Sequence, residues 1–295
     1  VALVGRPNAG KSTLLNRLLG EKLAIVSDKP QTTRQRIVGF LSTERGQMIF
    51  YDTPGIHKPL HRLNQQMLRH AYEAIDDADV VALLVDMSEP FGKGDAYLLD
   101  VLAKAEAPRV LVLNKIDRVR KPEILPRIAR YAEGGLFTEI VPLSALSGDG
   151  CDRLLGVLWN LLPEGQPRFD PELLTVHPER FLVAERIREK VLELTRDEIP
   201  FSTAVVLDAW EEEGDLLRLY ASILVEREGQ KKIVVGRQGA MIKSIGTAAR
   251  RDLEEFLGKK VYLDLRVRSE PGWREDRARL ADLERDHDLS DLDAD

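Results

Sequence analysis

Val1-Ala2-Leu3-Val4 is an unbroken apolar run that ends on Gly5-Arg6-Pro7-Asn8-Ala9-Gly10-Lys11-Ser12-Thr13, after which a helix-like pattern begins. A glycine-rich turn from a buried strand into a helix aims successive backbone N–H groups at one point, and the helix N-terminus adds the positive end of its dipole. Such a nest binds phosphate. At this spacing Lys11 reaches the β- and γ-phosphates of a nucleotide and the Ser12 hydroxyl ligates Mg²⁺. Gly5 to Thr13 is therefore the expected phosphate-binding segment of an α/β fold.

A phosphate cradle does not read the base. Asn114-Lys115-Ile116-Asp117 does, because it closes the apolar run Val110-Leu111-Val112-Leu113 and so sits at the C-terminal edge of a buried parallel strand, where open α/β sheets bind ligands. There the Asp117 carboxylate can accept from guanine N1–H and the 2-amino group together, a pairing adenine does not offer. Asn114 is expected to brace the phosphate loop, and the Lys115 stem to cover one face of the base. Ser144-Ala145-Leu146 follows another apolar run and is expected to turn its backbone N–H groups toward guanine O6; taken singly, Ser144 also reads as an ordinary turn residue. Asp52-Thr53-Pro54-Gly55 closes the run Met48-Ile49-Phe50-Tyr51, so Asp52 can hold Mg²⁺ through water and the Gly55 N–H can meet the γ-phosphate. In the polar loop Gln31-Thr32-Thr33-Arg34 one hydroxyl can join the Mg²⁺ shell, and Thr33 is the expected one.

Strands are expected near 36–42, 46–52, 79–86, 108–113 and 138–143, alternating with helices near 11–20, 63–77, 93–106, 121–133 and 149–161. Alternation of this kind builds a mainly parallel sheet covered on both faces. Residues 164–178 carry scattered prolines without periodicity and read as a linker. Beyond it the order becomes helix, strand, strand, a glycine-centred helical region and strand, with Gly214-Asp215 as a hairpin turn. Within that region Gly236-Arg237-Gln238-Gly239 opens a helix, with basic Arg237 and Lys243 flanking the loop. From 221 to 270 eleven basic residues face seven acidic ones, inside a chain of net charge −6. That local excess points to a phosphate-bearing partner, although solvated helices also carry lysines. The loop and the α-β-β-α-α-β order resemble a type II KH domain, in which a Gly-x-x-Gly loop clamps the backbone of four unpaired nucleotides. Ile233-Val234-Val235 reads as strand by propensity and as a short helix by that resemblance.

The five nucleotide-site segments, in their order, resemble those of the small GTPases. Asn8, Gln31-Thr32-Thr33-Arg34 and Asp52-Thr53-Pro54-Gly55-Ile56-His57 resemble those of the bacterial Era GTPases, and the similarity runs from Val1 to about Trp273. The resemblance implies a P-loop GTPase domain over 1–163, the linker over 164–178 and a smaller α+β KH-like RNA-binding domain over 179–272. It also implies a partner in the 3′ end of small-subunit ribosomal RNA, and a role in assembling that subunit. Lys232, Gly236, Arg237, Gln238, Gly239 and Lys243 would contact RNA. Catalysis would rest on Lys11, Thr33, Gly55 and Asn8. Many GTPases carry a glutamine after the Asp-x-x-Gly glycine, but Ile56 stands here and can do no proton chemistry, so slow intrinsic turnover is expected. Related GTPases use an asparagine at the Asn8 position to hold K⁺, and Asn8 as a plain turn residue is the alternative. His57 and His61 are candidate bases or simply exposed loop histidines.

Hydrophobic residues make up 43% and charged residues 31% of the 295, which describes a globular chain and not a disordered one. A single cysteine, Cys151, excludes an intrachain disulfide and suits a reducing cytoplasm. No apolar run approaches a membrane span and no signal peptide is read; because the first strand starts at Val1, an initiator methionine and a few residues are expected upstream. Residues 273–295 are acidic and poor in apolar side chains, so disorder is expected there. The expected partners are GTP or GDP, single-stranded RNA and the small ribosomal subunit, with a monomeric protein. A signalling GTPase at the inner face of the membrane or in cell division, its KH fold a protein-contact module, is the alternative. Constitutive RNA binding with incidental hydrolysis is a third.

Overall fold

Every residue of β1 (Ala2–Gly5) is buried, so this strand needs neighbours on both edges and cover on both faces. The computed structural model describes residues 1–57, 59, 61–195, 199 and 202–285 and supplies both. β3 (Gly46–Asp52) and β4 (Val81–Asp86) pair with β1 in parallel, one on each edge. β5 (Arg109–Asn114) and β6 (Glu139–Pro142) extend the parallel set, while β2 (Ile37–Thr43) runs antiparallel to β3; the order is β2-β3-β1-β4-β5-β6. Successive residues of a strand point to opposite faces. Ala2, Val4, Leu83 and Leu111 pack with α2 (Arg62–Asp76), α3 (Lys93–Leu102) and α4 (Lys121–Ala132) through Ala71, Leu98 and Tyr131. Leu3, Ala82 and Val110 face the other way and are equally buried. α1 (Lys11–Leu19) and α5 (Cys151–Leu161) touch each other and the sheet, and supply Leu14, Leu15, Leu154 and Leu158 to the core.

The segment after α5, expected as a linker, is not a free tether. Phe169 stacks on Phe40 with ring centroids 4.3 Å apart, Gln47 bonds both the N–H and the carbonyl of Phe169, and the Phe40 N–H donates to Leu174 O at 2.8 Å. The open edge of β2 presents unpaired backbone groups, and the passing chain occupies them. The first unit accordingly extends to Val176.

The second unit comprises Ser27–Thr32, His61–Leu63 and the chain from His177 onward. It follows the expected order: α6 (Glu179–Leu194), β7 (Ala204–Glu213), β8 (Leu216–Val225), α7 (Glu228–Val235), α8 (Ala240–Leu257) and β9 (Lys260–Ser269). β7 and β8 are antiparallel across Gly214, whose φ of 59° suits the reversal. β9 lies parallel to β8, which requires the crossover that α7 and α8 provide. Val183, Ile187, Leu219, Ile223, Val234, Ile245 and Leu253 form its core. Ile233-Val234-Val235 is helical: the Gln230 side chain accepts the Arg227 N–H at 3.0 Å and fixes the first turn of α7, and Val234 is fully buried.

The disorder expected from residue 273 is corrected for 273–285. Trp273 is buried and its Nε1–H donates to Ser202 O at 3.2 Å. After it, α9 (Arg277–Arg285) buries Leu280 and pairs Arg279 with Glu270 at 3.1 Å. Two apolar anchors suffice to hold a segment that composition marks as too polar to fold. Residues 286–295 lie outside the described residues. Among the described residues no helix is long and apolar enough to cross a membrane.

Candidate functional site

The loop between β1 and α1 is built for close backbone approach. Gly10 has φ of 95°, and a Cβ there would stand 2.3 Å from Asn114 Nδ2, so both the conformation and the neighbour demand glycine. Asn8 is left-handed at φ 63°, a conformation asparagine tolerates, and its side chain is exposed. Lys11 begins α1 and is only 6% exposed; its ammonium donates to Arg6 O at 3.1 Å and Gly5 O at 3.4 Å. Burial pulls its pKa down to about 8, against the opposing pull of Asp52. Thr13 follows in the first turn of α1.

Three oxygen-bearing side chains from separate segments meet beside Lys11. Ser12 Oγ lies 2.6 Å from Asp52 Oδ2 and 2.9 Å from Thr33 Oγ1, and Thr33 Oγ1 is 3.4 Å from the same carboxylate oxygen. Thr32 turns away and donates to Lys29 O at 2.7 Å, which leaves Thr33 as the threonine at this corner. Asp52 is fully buried, and its Oδ1 has no hydrogen-bond partner among the described residues. Burial lifts its pKa to about 6, although Lys11, Ser12 and Thr33 all favour the carboxylate. Two hydroxyls and an unsatisfied buried carboxylate oxygen form a hard-oxygen donor set that fits Mg²⁺.

At the end of β5, Asn114 joins the phosphate loop, which it was expected to brace, and also the Ser144-Ala145-Leu146 loop. Its Nδ2 donates to Ala9 O at 2.8 Å, and its Oδ1 accepts the N–H of Ala145 at 2.9 Å and of Lys115 at 2.8 Å. Lys115 is left-handed at φ 64°, and its Nζ donates to Asn8 O at 2.7 Å. Asp117 follows in a short 3₁₀ turn with its side chain exposed, as a ligand-reading carboxylate must be. The Ser144-Ala145-Leu146 expectation needs narrowing. The Ser144 N–H donates to Asp149 O and the Ala145 N–H to Asn114, so of the three amides only Leu146 has no bond to another described residue.

A family model for 50S ribosome-binding GTPases matches residues 1–115, and a KH domain model matches residues 198–274. GTPase Era of Geotalea uraniireducens (strain Rf4) is 50% identical over 284 residues, covering 96% of each chain. The chain belongs to the GTPase Era family. Era of Geobacter metallireducens is 49% identical over 285 residues, again covering 96% of each chain. Two solved Era structures share the architecture at 38% identity. An Aquifex aeolicus Era variant bound to GDP·AlF₄⁻ superposes with a TM-score of 0.91 over 97% of both chains. Era in complex with MgGDPNP and nucleotides 1506–1542 of 16S ribosomal RNA gives 0.92 over 97% of this chain and 96% of that one.

In this Era-family chain the position after Gly55 is more than non-protic. Ile56 is 2% exposed and packs in the core of the first unit, while its N–H donates to Gly5 O at 3.1 Å. Both loop histidines engage Nδ1: His57 Nδ1 meets Gly55 O at 2.9 Å, and His61 Nδ1 meets Glu275 Oε1 at 3.0 Å. In the second unit Gly236 ends α7 with φ of 74°, and a Cβ there would lie 2.7 Å from Met241 N. Gly239 has φ of 78° and open space around it. Lys232, Arg237, Gln238 and Lys243 are all exposed around this loop, next to the half-exposed Ile233.

Three residues near the site carry no sequence motif and emerge only from the fold. Arg17 of α1 donates to Ala145 O at 3.2 Å and also to Leu146 O, so it holds the Ser144 loop from beneath. Asp95 of α3 pairs with Arg6 at 3.1 Å. Asp86 closes β4 and pairs with Lys115 at 2.6 Å. Each pair spans at least 29 residues of sequence, beyond the reach of any local pattern.

Proposed function

We propose that this chain binds and hydrolyses GTP in its first unit and binds single-stranded RNA through its KH unit, serving as a switch in small ribosomal subunit assembly. The observation that carries the nucleotide half is the double grip of Asn114, which ties the phosphate loop at Ala9 to the base-reading loop at Ala145. A ligand with both a phosphate tail and a base needs those two loops held as one piece. Ser12, Thr33 and Asp52 would hold Mg²⁺, which when bound offsets the charge developing on the transferred phosphoryl group. Lys11 binds the β- and γ-phosphates, and the Gly55 amide orients the γ-phosphate. With Ile56 buried and no arginine finger assigned, turnover is slow, since a finger contributes about 10³ to 10⁵ in rate. One cysteine in 295 residues supports a reducing compartment such as the cytoplasm.

The RNA half rests on the exposed basic rim of the Gly236–Gly239 loop, and on the Era relative bound to 16S ribosomal RNA. Its partner is the 3′ end of small-subunit ribosomal RNA. Titrating an RNA of that sequence with a non-hydrolysable GTP analogue and with GDP should give unequal affinities, because a γ-phosphate orders Thr33 and Gly55. Equal affinities would make hydrolysis incidental to RNA binding, and no binding in either state would leave the KH fold a protein-contact module. Gly239→Asp is the cleaner loop variant, since Gly236→Asp drives a side chain into the backbone of α8. A carboxylate facing the RNA backbone at Gly239 should weaken RNA binding at least about tenfold through phosphate repulsion, with GTP affinity unchanged.

Asn8 is read as the K⁺ ligand that stands in for the missing finger. Its side chain is exposed on the phosphate loop while its carbonyl is already held by Lys115. Turnover should be faster in K⁺ than in Na⁺, and Asn8→Ala should erase the difference. Equal potassium-to-sodium ratios for the two proteins would leave Asn8 a turn residue.

A further inference from the structure

We propose that Asp86 is a positioning residue for nucleotide binding, holding Lys115 so that its stem covers the base while its ammonium closes on the phosphate loop. The inference rests on the guanine-nucleotide reading of the site above.

β4 and β5 run parallel with Asp86 opposite Asn114, and the Met87 N–H donates to Asn114 O at 2.9 Å, so Asp86 is registered directly against the base-reading segment. Its two carboxylate oxygens have separate duties. Oδ1 accepts both the Ser88 N–H at 2.8 Å and the Ser88 hydroxyl at 2.6 Å, which stops the carboxylate from rotating. Oδ2 receives Lys115 Nζ at 2.6 Å. The same ammonium reaches Asn8 O at 2.7 Å, and the side chains of Lys115 and Asp86 are 21% and 15% exposed. A continuous chain therefore runs from the end of β4, through Lys115, to the phosphate loop. Lysine is a point charge on a stem with four rotatable bonds, and without a fixed partner it samples many rotamers. Asp86 removes that freedom before the nucleotide arrives.

The sign of the effect separates positioning from simple charge. A carboxylate this close to a polyphosphate site repels the ligand, so if Asp86 acted only through its charge, removing it would tighten nucleotide binding. If it acts by placing Lys115, removing it loosens binding, and only while Lys115 is present.

The test is a double-mutant cycle on the full chain, reading GDP affinity and dissociation rate with a fluorescent GDP and the melting temperature of each nucleotide-free protein. Asp86→Ala should weaken GDP about tenfold, mostly through faster dissociation, as expected for losing a charge-assisted anchor. Asp86→Asn, which keeps the shape and the Ser88 acceptor, should fall between and carries the test if the alanine variant does not fold. In a Lys115→Ala background the Asp86 substitution should change affinity less than about twofold. Unchanged or tightened GDP binding, or the same loss in both backgrounds, would overturn the proposal. ADP measured alongside keeps the two readings apart: a wild-type protein that holds ADP as tightly as GDP refutes the guanine reading itself, and the Asp86 proposal with it.

Discussion

Asp117→Asn should lower GTP affinity by roughly 10³- to 10⁴-fold and make xanthosine triphosphate the preferred ligand. Asp117 stands exposed in the 3₁₀ turn after β5, beyond the left-handed Lys115 that swings the chain out of the sheet. From there its carboxylate would accept two N–H groups from guanine, each charge-assisted bond contributing about 1.5–3 kcal/mol. An asparagine amide keeps the size but turns one acceptor into a donor, so one guanine donor is left facing another. Xanthine carries a carbonyl where guanine carries the amino group, and that carbonyl matches the new donor. The fold should be untouched, because Asp117 lies at the surface and the loops are braced by Asn114. Competition of GTP, xanthosine triphosphate and ATP against a fluorescent guanine nucleotide decides the matter. A variant that still prefers GTP would show that the base is read elsewhere.

Asp52, Asn114 and Ser144 were legible because each closes an apolar run, and a strand end in a parallel sheet has a known position. Asp52 and Asn114 are the last residues of β3 and β5, Ser144 follows β6 after Leu143, and all three sit at the same end of one sheet. Their second partners were not legible. Asp86 lies one strand over from Lys115, and Arg17 reaches Ala145 across 128 residues of sequence. Such pairs exist only once the register is set, and no spacing rule encodes them. Local propensity failed where tertiary burial outweighed it. Ile233-Val234-Val235 is β-branched throughout yet helical, because Val234 fills the second core and Gln230 caps the helix start. Composition failed at the far end for the opposite reason: an average over 273–295 hides Trp273 and Leu280, which are buried.

Replacing Lys11 by methionine should cost at least about 10³-fold in turnover, the scale of losing a transition-state charge, and yet leave the nucleotide-free protein more stable. Both effects come from one fact. Lys11 is buried against backbone carbonyls, its nearest anion, Asp52, is itself buried, and its pKa has fallen from 10.5 to about 8. The folded protein therefore binds a proton at Lys11 less readily than the unfolded chain does. The penalty is fully present below pH 8 and fades as pH rises toward 10.5. A shift of that size corresponds to about 3 kcal/mol, reduced in the variant because Asp52 loses a favourable neighbour. Melting of the nucleotide-free proteins at pH 7 should thus favour Lys11→Met by several degrees, and the gap should narrow at pH 10. With Mg²⁺ and a GTP analogue the order should reverse, because phosphate oxygens complete the ammonium's bonding and methionine offers them nothing. A variant that melts below the parent at pH 7 without nucleotide would show that Lys11 is satisfied by its loop. An ammonium held by two backbone carbonyls would favour a ligand that brings concentrated negative charge to that one point, as a phosphate does.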